Sequence, residues 1–439
     1  MPEKENFDIN DIDSFFKSLQ TNTGQLVQPV NTVKPVDTAS AAPRVSAAQG
    51  SSIEVSALQN LLAIEKELNL TLVEREEAIH CLMLAVIAGQ HMLMLGPAGA
   101  GKSMLASEFC SRISNGIYFQ WLLNKTSDPS EVVGAVSIKS MENDHYKRIT
   151  TGKLPEAHLA FIDEVYKSNS PTLNLLLPIM NEKIFYNDGQ PVKIPLITMV
   201  GASNEPPEDD SLLPFHDRFM FRMNMKYIKD TTSKKRMFTN FLAERASSTT
   251  ITQKTRISLQ ELKALEAKAK RVGISKDIIN QYIRILKAIS RKTGVVLSDR
   301  RQNECLKILQ ASAVLRGADY VSTNDFNSLV YALWEEEDQI EPISEEIANL
   351  VNPYDNELAL LMKNFNEICS AVEGETDDKL KVEKCIDAKA SIDKILAKLN
   401  KITIEAANQG ISTEQFESAK NKIAEYTKDV LSQISSQLI

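Results

Sequence analysis

The residues with the clearest chemistry form a glycine-rich segment that matches the phosphate-binding pattern G-x-x-x-x-G-K-[ST]. Glycines allow backbone N–H groups to wrap around phosphate oxygens without a clash from Cβ atoms. Lys102 is expected to reach the β- and γ-phosphates of a nucleotide, and the Ser103 hydroxyl to bind Mg²⁺. The predicted nucleotide-binding residues are Gly96, Pro97, Ala98, Gly99, Ala100, Gly101, Lys102, Ser103 and Met104.

The residues on either side of this loop are those that such a site requires. The apolar run from His91 to Leu95 predicts a buried strand, and the residues from Met104 to Phe109 are good helix formers. The N-terminus of that helix adds partial positive charge where phosphates would bind. A glycine-rich turn that binds nothing is the alternative, and the strand–loop–helix context disfavours it.

A second segment, from Leu159 to Glu164, reads as an apolar strand that ends in two acids. Its end is expected at the same edge of the sheet as the phosphate-binding loop. Asp163 is then expected to hold Mg²⁺, directly or through water, and Glu164 to polarise the attacking water as general base. A helix-capping turn is the alternative, and the presence of the phosphate-binding loop upstream disfavours it.

A third apolar strand, from Ile197 to Ala202, leads to Asn204. A neutral amide at this position can orient water against the γ-phosphate without competing for the proton. Asn204 also opens a turn before Pro206, so a purely structural role for its side chain stays open.

Two later segments carry arginines that are candidates for stabilising a transferred phosphate. Arg218 lies between apolar residues and needs a carboxylate or phosphate partner. It is the candidate arginine finger, directed at the γ-phosphate held by a neighbouring subunit, with Arg222 as the second choice. An ion pair between Arg218 and Asp217 is the structural alternative. Arg300 is expected to contact the γ-phosphate from a second domain, unless it and Arg301 are a solvated pair of charges.

The elements that must position these residues are read from apolar periodicity. Strands that alternate with helices predict an α/β fold with a mostly parallel sheet and helices on both faces. After the first strand, the predicted strands are Gly116–Gln120, Leu159–Asp163, Ile184–Pro195 (interrupted by a turn) and Ile197–Ala202. Past Tyr227 the strand signals stop, and helices are predicted over residues 231–246, 258–272, 275–292, 299–317 and 323–334.

The length of 439 residues is too great for one compact core, and the pattern divides the chain into four parts. Residues 1–50 read as a flexible segment, with a docking helix for a partner as the alternative. Residues 51–226 form the predicted nucleotide-binding domain, and residues 227–342 an all-helical lid. Residues 343–439 are predicted to be a hairpin of long helices, broken near Gly374 and Gly410, whose apolar stripe serves helix packing.

The composition argues against several classes of protein. The net charge of −8 and the lack of a long basic run argue against a nucleic-acid-binding surface. No apolar stretch approaches the roughly 20 residues of a membrane span, and the N-terminus lacks the apolar segment of a secretory signal. The widely spaced cysteines and unclustered histidines indicate neither disulfides nor a zinc site. A cytoplasmic protein without membrane insertion is therefore expected.

These motifs, in this order, resemble those of the AAA+ ATPases of the MoxR family, and most closely the RavA (regulatory ATPase variant A) branch. The similarity runs from about residue 70 to about residue 340 and rests on several motifs in a fixed order. The matching segments are Glu74–Ile79, Leu95–Pro97, Ser127–Gly134, Thr151–Ala157, Phe161–Glu164, Ala202–Glu205, Asp217–Phe219 and Ser298–Arg301.

The resemblance implies an AAA+ fold, hydrolysis of ATP to ADP and phosphate with Mg²⁺, and a homo-hexameric ring with ATP between subunits. In this clade the lid is displaced, which leaves open which subunit the sensor 2 arginine serves. The implied roles are Walker A for Lys102 and Ser103, Walker B for Asp163 and Glu164, sensor 1 for Asn204, finger for Arg218 and sensor 2 for Arg300.

The resemblance also implies two inserts, a helix 2 insert at Pro129–Lys153 and a pre-sensor 1 hairpin around Asp188. MoxR proteins act as chaperone-like remodellers, often beside a partner with a von Willebrand A domain. The leading hypothesis is therefore an ATP-driven motor that remodels a protein client. A nucleotide-gated scaffold with negligible turnover is the second hypothesis, and a nucleic-acid motor that uses the hairpin is the third. The last hundred residues do not resemble the β-rich insertion of RavA.

Overall fold

A computed structural model of the chain describes residues 47–207, 209–246, 254–351, 354–373, 378–408 and 413–437. Of the predicted N-terminal segment, flexible or with a docking helix, residues 1–46 lie outside the described residues, and residues 47–50 belong to the helix Ala47–Thr71 instead of a flexible segment. The strands are β1 (His91–Leu95), β2 (Ile113–Ser114), β3 (Tyr118–Leu122), β4 (Leu159–Asp163), β5 (Ile184–Asn187), β6 (Gln190–Lys193), β7 (Thr198–Ser203), β8 (Phe219–Asn224) and β9 (Ile257–Ser258).

The central sheet contains five parallel strands in the order β3-β4-β7-β1-β8. Every residue of β1 and β7 is buried, as expected for parallel strands that are covered on both faces. The sheet places the ends of β1, β4 and β7 at one edge, next to one another. The predicted α/β fold is confirmed, and β1 and β4 begin and end at the predicted residues.

The sequence analysis missed one strand of this sheet, β8. It pairs with β1 along its whole length, with Phe219 opposite His91 and Asn224 opposite Leu95. Polar side chains in this segment, above all Arg222, weaken the strand signal. A sequence pattern places such an arginine in a loop, whereas here the lid covers the edge strand and buries Arg222. The missed strand fixes where the neighbouring Arg218 can lie.

The helices before the lid region cover the sheet and carry the loops. Their bounds are α1 (Ala47–Thr71), α2 (Glu76–Ala88), α3 (Lys102–Ser111), α4 (Pro129–Val133), α5 (Ile138–Met141), α6 (Ser170–Glu182) and α7 (Leu213–His216). β5 and β6 form a separate antiparallel hairpin, as predicted from the Asp188-Gly189 turn.

The predicted lid region is helical, with two differences from the prediction. Its helices are α8 (Thr231–Ala246), α9 (Leu259–Arg271), α10 (Lys276–Thr293), α11 (Asp299–Leu315) and α12 (Ile340–Val351). The predicted helix over 323–334 is a 3₁₀ helix, Thr323–Tyr331. The short strand β9 pairs with β2, so strand structure does not stop at residue 227. One continuous apolar core joins α9, α10, α11 and α12 to the sheet, whereas α8 contributes no described residue to it.

Among the described residues of the C-terminal part, the structure has α13 (Asp355–Glu373), α14 (Asp378–Asn408) and α15 (Glu414–Gln437), and the predicted breaks near Gly374 and Gly410 lie outside the described residues. Their core is separate from that of the sheet and includes the predicted stripe of α14. Within the described residues, no helix is long and apolar enough to span a membrane, and no cluster of three or more potential metal ligands occurs. None of the five cysteines, all of which lie in the described part of the chain, forms a disulfide, and four of them are buried.

Candidate active site

The phosphate-binding loop connects the end of β1 to the start of α3, as the sequence predicts. Gly99 and Gly101 have φ angles of 78° and 87°, in the left-handed region that favours glycine. Gly96 is required for a second reason: a Cβ atom there would lie 2.1 Å from the carbonyl oxygen of Met225. The loop therefore has the open backbone that can surround phosphate oxygens.

Two side chains that the sequence analysis did not single out hold this loop in place. Arg75 donates from Nε to the carbonyl of Ala100 (3.0 Å) and from Nη2 to that of Lys226 (3.0 Å). The Tyr227 hydroxyl donates to the carbonyl of Ala98 at 2.7 Å. Arg75 belongs to a segment that carries the family resemblance, and that resemblance is the feature of the sequence that could have identified it. No pattern in the sequence points to Tyr227.

Lys102 lies at the mouth of the loop with its ammonium group surrounded by oxygen. Nζ donates to the carbonyls of Gly96 and Ser203 and, at 3.0 Å, to Oδ1 of Asn204. Burial lowers the pKa of Lys102, while the nearby carboxylates of Asp163 and Glu164 raise it. The ammonium thus faces both predicted acids, the position from which it can also meet phosphate oxygens.

The two acids meet Asn204 at the same edge of the sheet. Nδ2 of Asn204 donates to Oε1 of Glu164 at 3.0 Å. Asp163 ends β4, and its Oδ1 accepts the backbone N–H of Glu164, which has a left-handed φ of 52°. Lys102, Asn204 and Glu164 therefore form one hydrogen-bonded chain, and the structure brings together residues predicted from three separate strands.

Glu164 also has a cationic neighbour that the sequence analysis did not consider. Nζ of Lys167, one helical turn later, lies 3.3 Å from Oε2 of Glu164. The lysine side chain is largely exposed, whereas the carboxylate is mostly covered. Lys167 sits in a short 3₁₀ turn, Val165–Lys167, that follows the acids.

The donor set of the site fits Mg²⁺ and a triphosphate. Mg²⁺ prefers oxygen ligands, and Ser103, in the first turn of α3, and Asp163, the last residue of β4, supply a hydroxyl and a carboxylate. Both residues are partly exposed, which leaves their oxygens accessible. Met104 is half exposed at the start of α3, beside the loop.

Arg218 lies at the opposite end of the sheet from the phosphate-binding loop. It precedes Phe219, which pairs with His91 at the start of β1, whereas the loop follows Leu95 at the end. At about 3.3 Å per residue, the length of β1 separates the two positions by roughly 13 Å. Nη1 of Arg218 is 3.5 Å from Asp217, and its buried Nε has no hydrogen-bond partner among the described residues.

Arg300 lies beside Arg218, and Asp217 joins them. Its carboxylate is 3.7 Å from Nη1 of Arg300 and 3.6 Å from Nη1 of Arg301. Arg300 also donates to Oδ1 of Asn181 (3.4 Å), and its side chain is 44% exposed. Arg218 and Arg300 line one cleft of about 700 Å³, which the phosphate-binding loop does not border.

Arg301 and Arg222 are buried within the chain. Arg301 is 2% exposed, so the alternative of a solvated pair of charges is wrong for this residue. Its guanidinium donates to the carbonyls of Ala332 (2.8 Å), Met220 (3.0 Å) and Phe219 (3.3 Å). Arg222 is also 2% exposed, and it donates to the carbonyl of Trp334. Its burial argues against the second choice of finger, because a finger must reach beyond its own subunit.

Hydrogen bonds join the two predicted inserts to each other. Asp188, in the hairpin turn, accepts the backbone N–H of Tyr146 (2.8 Å) and contacts His145. Asn187 exchanges hydrogen bonds with the backbone of Arg148, at 2.7 and 3.3 Å. The hairpin and the insert therefore form one surface unit, which carries the exposed side chains Ile138, Met141, Tyr146, Ile149, Tyr186 and Val192.

Comparison with family models gives two matches along this chain. Residues 59–267 match the model described as a MoxR domain in the MoxR-vWA-beta-propeller ternary systems. Residues 277–347 match an AAA lid domain. The matches cover the sheet, the loop and the helices that hold Arg300. They do not confirm the closer likeness to the RavA branch.

Similar proteins support the same grouping. The uncharacterized proteins MJ0812 and MJ0079 of Methanocaldococcus jannaschii are 32% and 34% identical, over 84% and 79% of this chain and 95% and 89% of their own lengths. Chaperone MoxR1 of Mycobacterium tuberculosis is 20% identical over 63% of this chain and 74% of its own. A crystal structure described as a "putative ATPase" from Cytophaga hutchinsonii has a TM-score of 0.55 at 16% identity, and it covers 68% of this chain and 97% of its own, which shows the fold.

Proposed function

Because the chain belongs to the MoxR family of AAA+ ATPases, we propose that it hydrolyses ATP with Mg²⁺ in a ring of identical subunits, six by family resemblance, and uses the energy to remodel protein complexes. The chaperone name of one relative and the family description, which includes a von Willebrand A (vWA) protein, support a protein client or partner of that kind.

The proposed roles follow from the geometry of the site. Ser103 and Asp163 would hold Mg²⁺, which supplies charge neutralisation to the phosphates when bound. Lys102 binds the β- and γ-phosphates. Glu164 takes the proton of the attacking water, and Asn204, which already donates to Glu164, keeps that carboxylate and the water in line.

One observation carries the proposal of a ring. Arg218 and Arg300 share a cleft near the start of β1, whereas Lys102 and Glu164 lie near its end. The arginines therefore face away from the nucleotide site of their own chain. In a head-to-tail assembly the same cleft would meet the γ-phosphate held by the next subunit, with Arg218 as finger and Arg300 beside it.

A mixing experiment tests this division of labour. Glu164→Gln subunits lack the base but keep the arginines, and Arg218→Ala subunits have the reverse defect. Each variant alone should hydrolyse ATP at least about 100-fold more slowly than wild type, since a finger contributes about 10³–10⁵ and a base about 10²–10⁴ to the rate. Mixed and reassembled, they should recover activity, because some sites combine an intact Glu164 with an intact Arg218.

Two outcomes would contradict the proposal. If the mixture is no more active than its components, sites are not completed by a neighbouring subunit. If wild-type protein shows no turnover with Mg²⁺ and ATP, the nucleotide-gated scaffold replaces the motor.

For the partner, we expect the Glu164→Gln variant to retain a vWA-domain protein in ATP more strongly than in ADP. Equal recovery in both nucleotides would argue against nucleotide-dependent binding.

A further inference from the structure

A partly buried hydrogen bond connects the catalytic turn that follows β4 with the segment that carries Arg218. Tyr166 lies two residues after Glu164, in the turn Val165–Lys167, and its hydroxyl hydrogen-bonds to Nδ1 of His216. The two rings are 5.8 Å apart between centroids. His216 is the last residue of α7 and directly precedes Asp217 and Arg218.

The two groups joined by this bond are both uncharged. Burial, followed by the charges of Arg222 and Arg301, lowers the pKa of His216 to about 2, so its imidazole is neutral. Burial raises the pKa of the Tyr166 hydroxyl, which therefore keeps its proton. Nδ1 accepts from the hydroxyl in one neutral tautomer and donates to its oxygen in the other, and in both the bond orients the ring of His216.

The chain of contacts continues from His216 to the arginine cleft. The carboxylate of Asp217 contacts Arg218 at 3.5 Å, Arg300 at 3.7 Å and Arg301 at 3.6 Å. Arg301 is held in place by hydrogen bonds to three carbonyls. Of the three arginines beside Asp217, Arg301 is therefore fixed, and Arg218 and Arg300 are more exposed. A shift of α7 would therefore move Asp217 and, with it, the guanidinium groups that the cleft presents.

We propose that Tyr166 and His216 are positioning residues that hold the side chain of Arg218 in place. Each subunit thereby positions the arginine that the neighbouring site uses according to the state of its own catalytic turn. This inference rests on the proposed function, since it requires that Arg218 acts in a neighbouring subunit. Neither residue touches the reacting atoms. Their effect passes through Asp217, and the loss of their hydrogen bond should leave nucleotide binding in its own subunit intact.

The Tyr166→Phe variant removes only the hydroxyl and keeps the ring packing. Misplacement of a catalytic group by about 1 Å can lower a rate by about 100-fold, so we expect kcat to fall by about 10- to 100-fold. The affinity for a fluorescent ATP analogue should change by less than about threefold, because Lys102 and its loop are unaffected. His216→Asn, whose amide can replace Nδ1 as hydrogen-bond partner of the hydroxyl, should retain more activity than His216→Leu.

Complementation tells whether the defect lies in the subunit's own site or in its neighbour's. If Tyr166 positions Arg218, Tyr166→Phe subunits should recover activity when mixed with Glu164→Gln subunits, which supply a well-placed arginine. They should not recover activity with Arg218→Ala subunits. If Tyr166 instead supports Glu164 in its own site, the pattern is reversed, and that result would overturn the inference.

Two controls make the outcome decisive. Tyr282→Phe removes another buried tyrosine hydroxyl, one that donates to the carbonyl of Gln302 at 2.8 Å in the lid region. It should keep near wild-type turnover. The mixture of Glu164→Gln with Arg218→Ala must recover activity. If it does not, the assembly premise of the proposed function fails, and the present inference fails with it. Wild-type turnover for Tyr166→Phe would refute the inference alone.

Discussion

Arg300 and Arg301 are adjacent in the sequence but have different environments, and this predicts opposite effects of their removal. Arg301 is 2% exposed and holds the lid helix α11 against β8. Arg300 is 44% exposed and lines the cleft beside Arg218. We expect Arg301→Ala to reduce stability, and Arg300→Ala to reduce turnover while stability is nearly unchanged.

The magnitude for Arg301 follows from its contacts. Its guanidinium donates three hydrogen bonds to carbonyl oxygens, of 2.8, 3.0 and 3.3 Å. Hydrogen bonds from a charged donor contribute about 1.5–3 kcal/mol each, but burial of the guanidinium opposes them by removing its hydration. Arg301→Ala leaves three carbonyl oxygens without this donor, at about 1–3 kcal/mol each, and the relief of the buried charge offsets part of that cost, so we adopt about 3–5 kcal/mol for the variant. The exposed contact of Arg300 with Asp217 contributes about 0–1 kcal/mol.

Urea denaturation followed by circular dichroism, together with ATP turnover, measures both effects. Arg301→Ala should lower the free energy of unfolding by about 3–5 kcal/mol. Arg300→Ala should lower it by less than about 1 kcal/mol and reduce kcat by about tenfold or more. The reasoning is refuted if the two variants lose equal stability, or if Arg301→Ala unfolds within about 1 kcal/mol of wild type.

Three further predictions concern other parts of the chain. Gly134→Ala should destabilise the helix 2 insert by about 2 kcal/mol or more, because its Cβ would lie 1.8 Å from the carbonyl oxygen of Ile149. Gly152→Ala, which has open space around the added Cβ, should cost only about 1 kcal/mol. The urea midpoints of the two variants compare these costs. Burial lowers the pKa of His91 from 6.5 to about 4, so its stabilising contribution is present above pH 6.5 and is lost as the pH falls towards 4. Between pH 7 and pH 5, wild type should therefore lose about 2 kcal/mol that His91→Gln does not lose. Asn204→Ala should reduce kcat by about 100-fold or more while the affinity for ATP is retained. A reduction of kcat by only about tenfold or less would contradict its role beside Glu164.

The proximity of the proposed nucleotide-site residues was predictable because they lie at the ends of strands with strong apolar patterns. Asp163 ends β4, Asn204 directly follows β7, and Lys102 follows the loop after β1, and parallel strands bring these ends together at one edge. Their proximity therefore follows from the fold class. Lys167 and Tyr227 were not predicted, since their roles depend on where a turn or a chain crossing places one polar side chain.

The arginine cleft was predictable in its residues but not in its arrangement. Arg218 and Arg300 are both candidates from the sequence, yet no pattern indicates that they share Asp217 with Arg301. That arrangement depends on how α11 packs against β8, a strand whose buried arginine obscured its pattern. Packing between distant segments of the chain leaves no periodic signal in either segment.

The most direct test of the central claim is a paired measurement on wild type and Glu164→Gln with Mg²⁺ and ATP. The account predicts that wild type releases phosphate in repeated turnovers, and that the variant binds ATP with similar affinity but turns over at least about 100-fold more slowly. Absence of ATP binding by either protein, or equal phosphate release by both, would contradict the assignment of this site and its base.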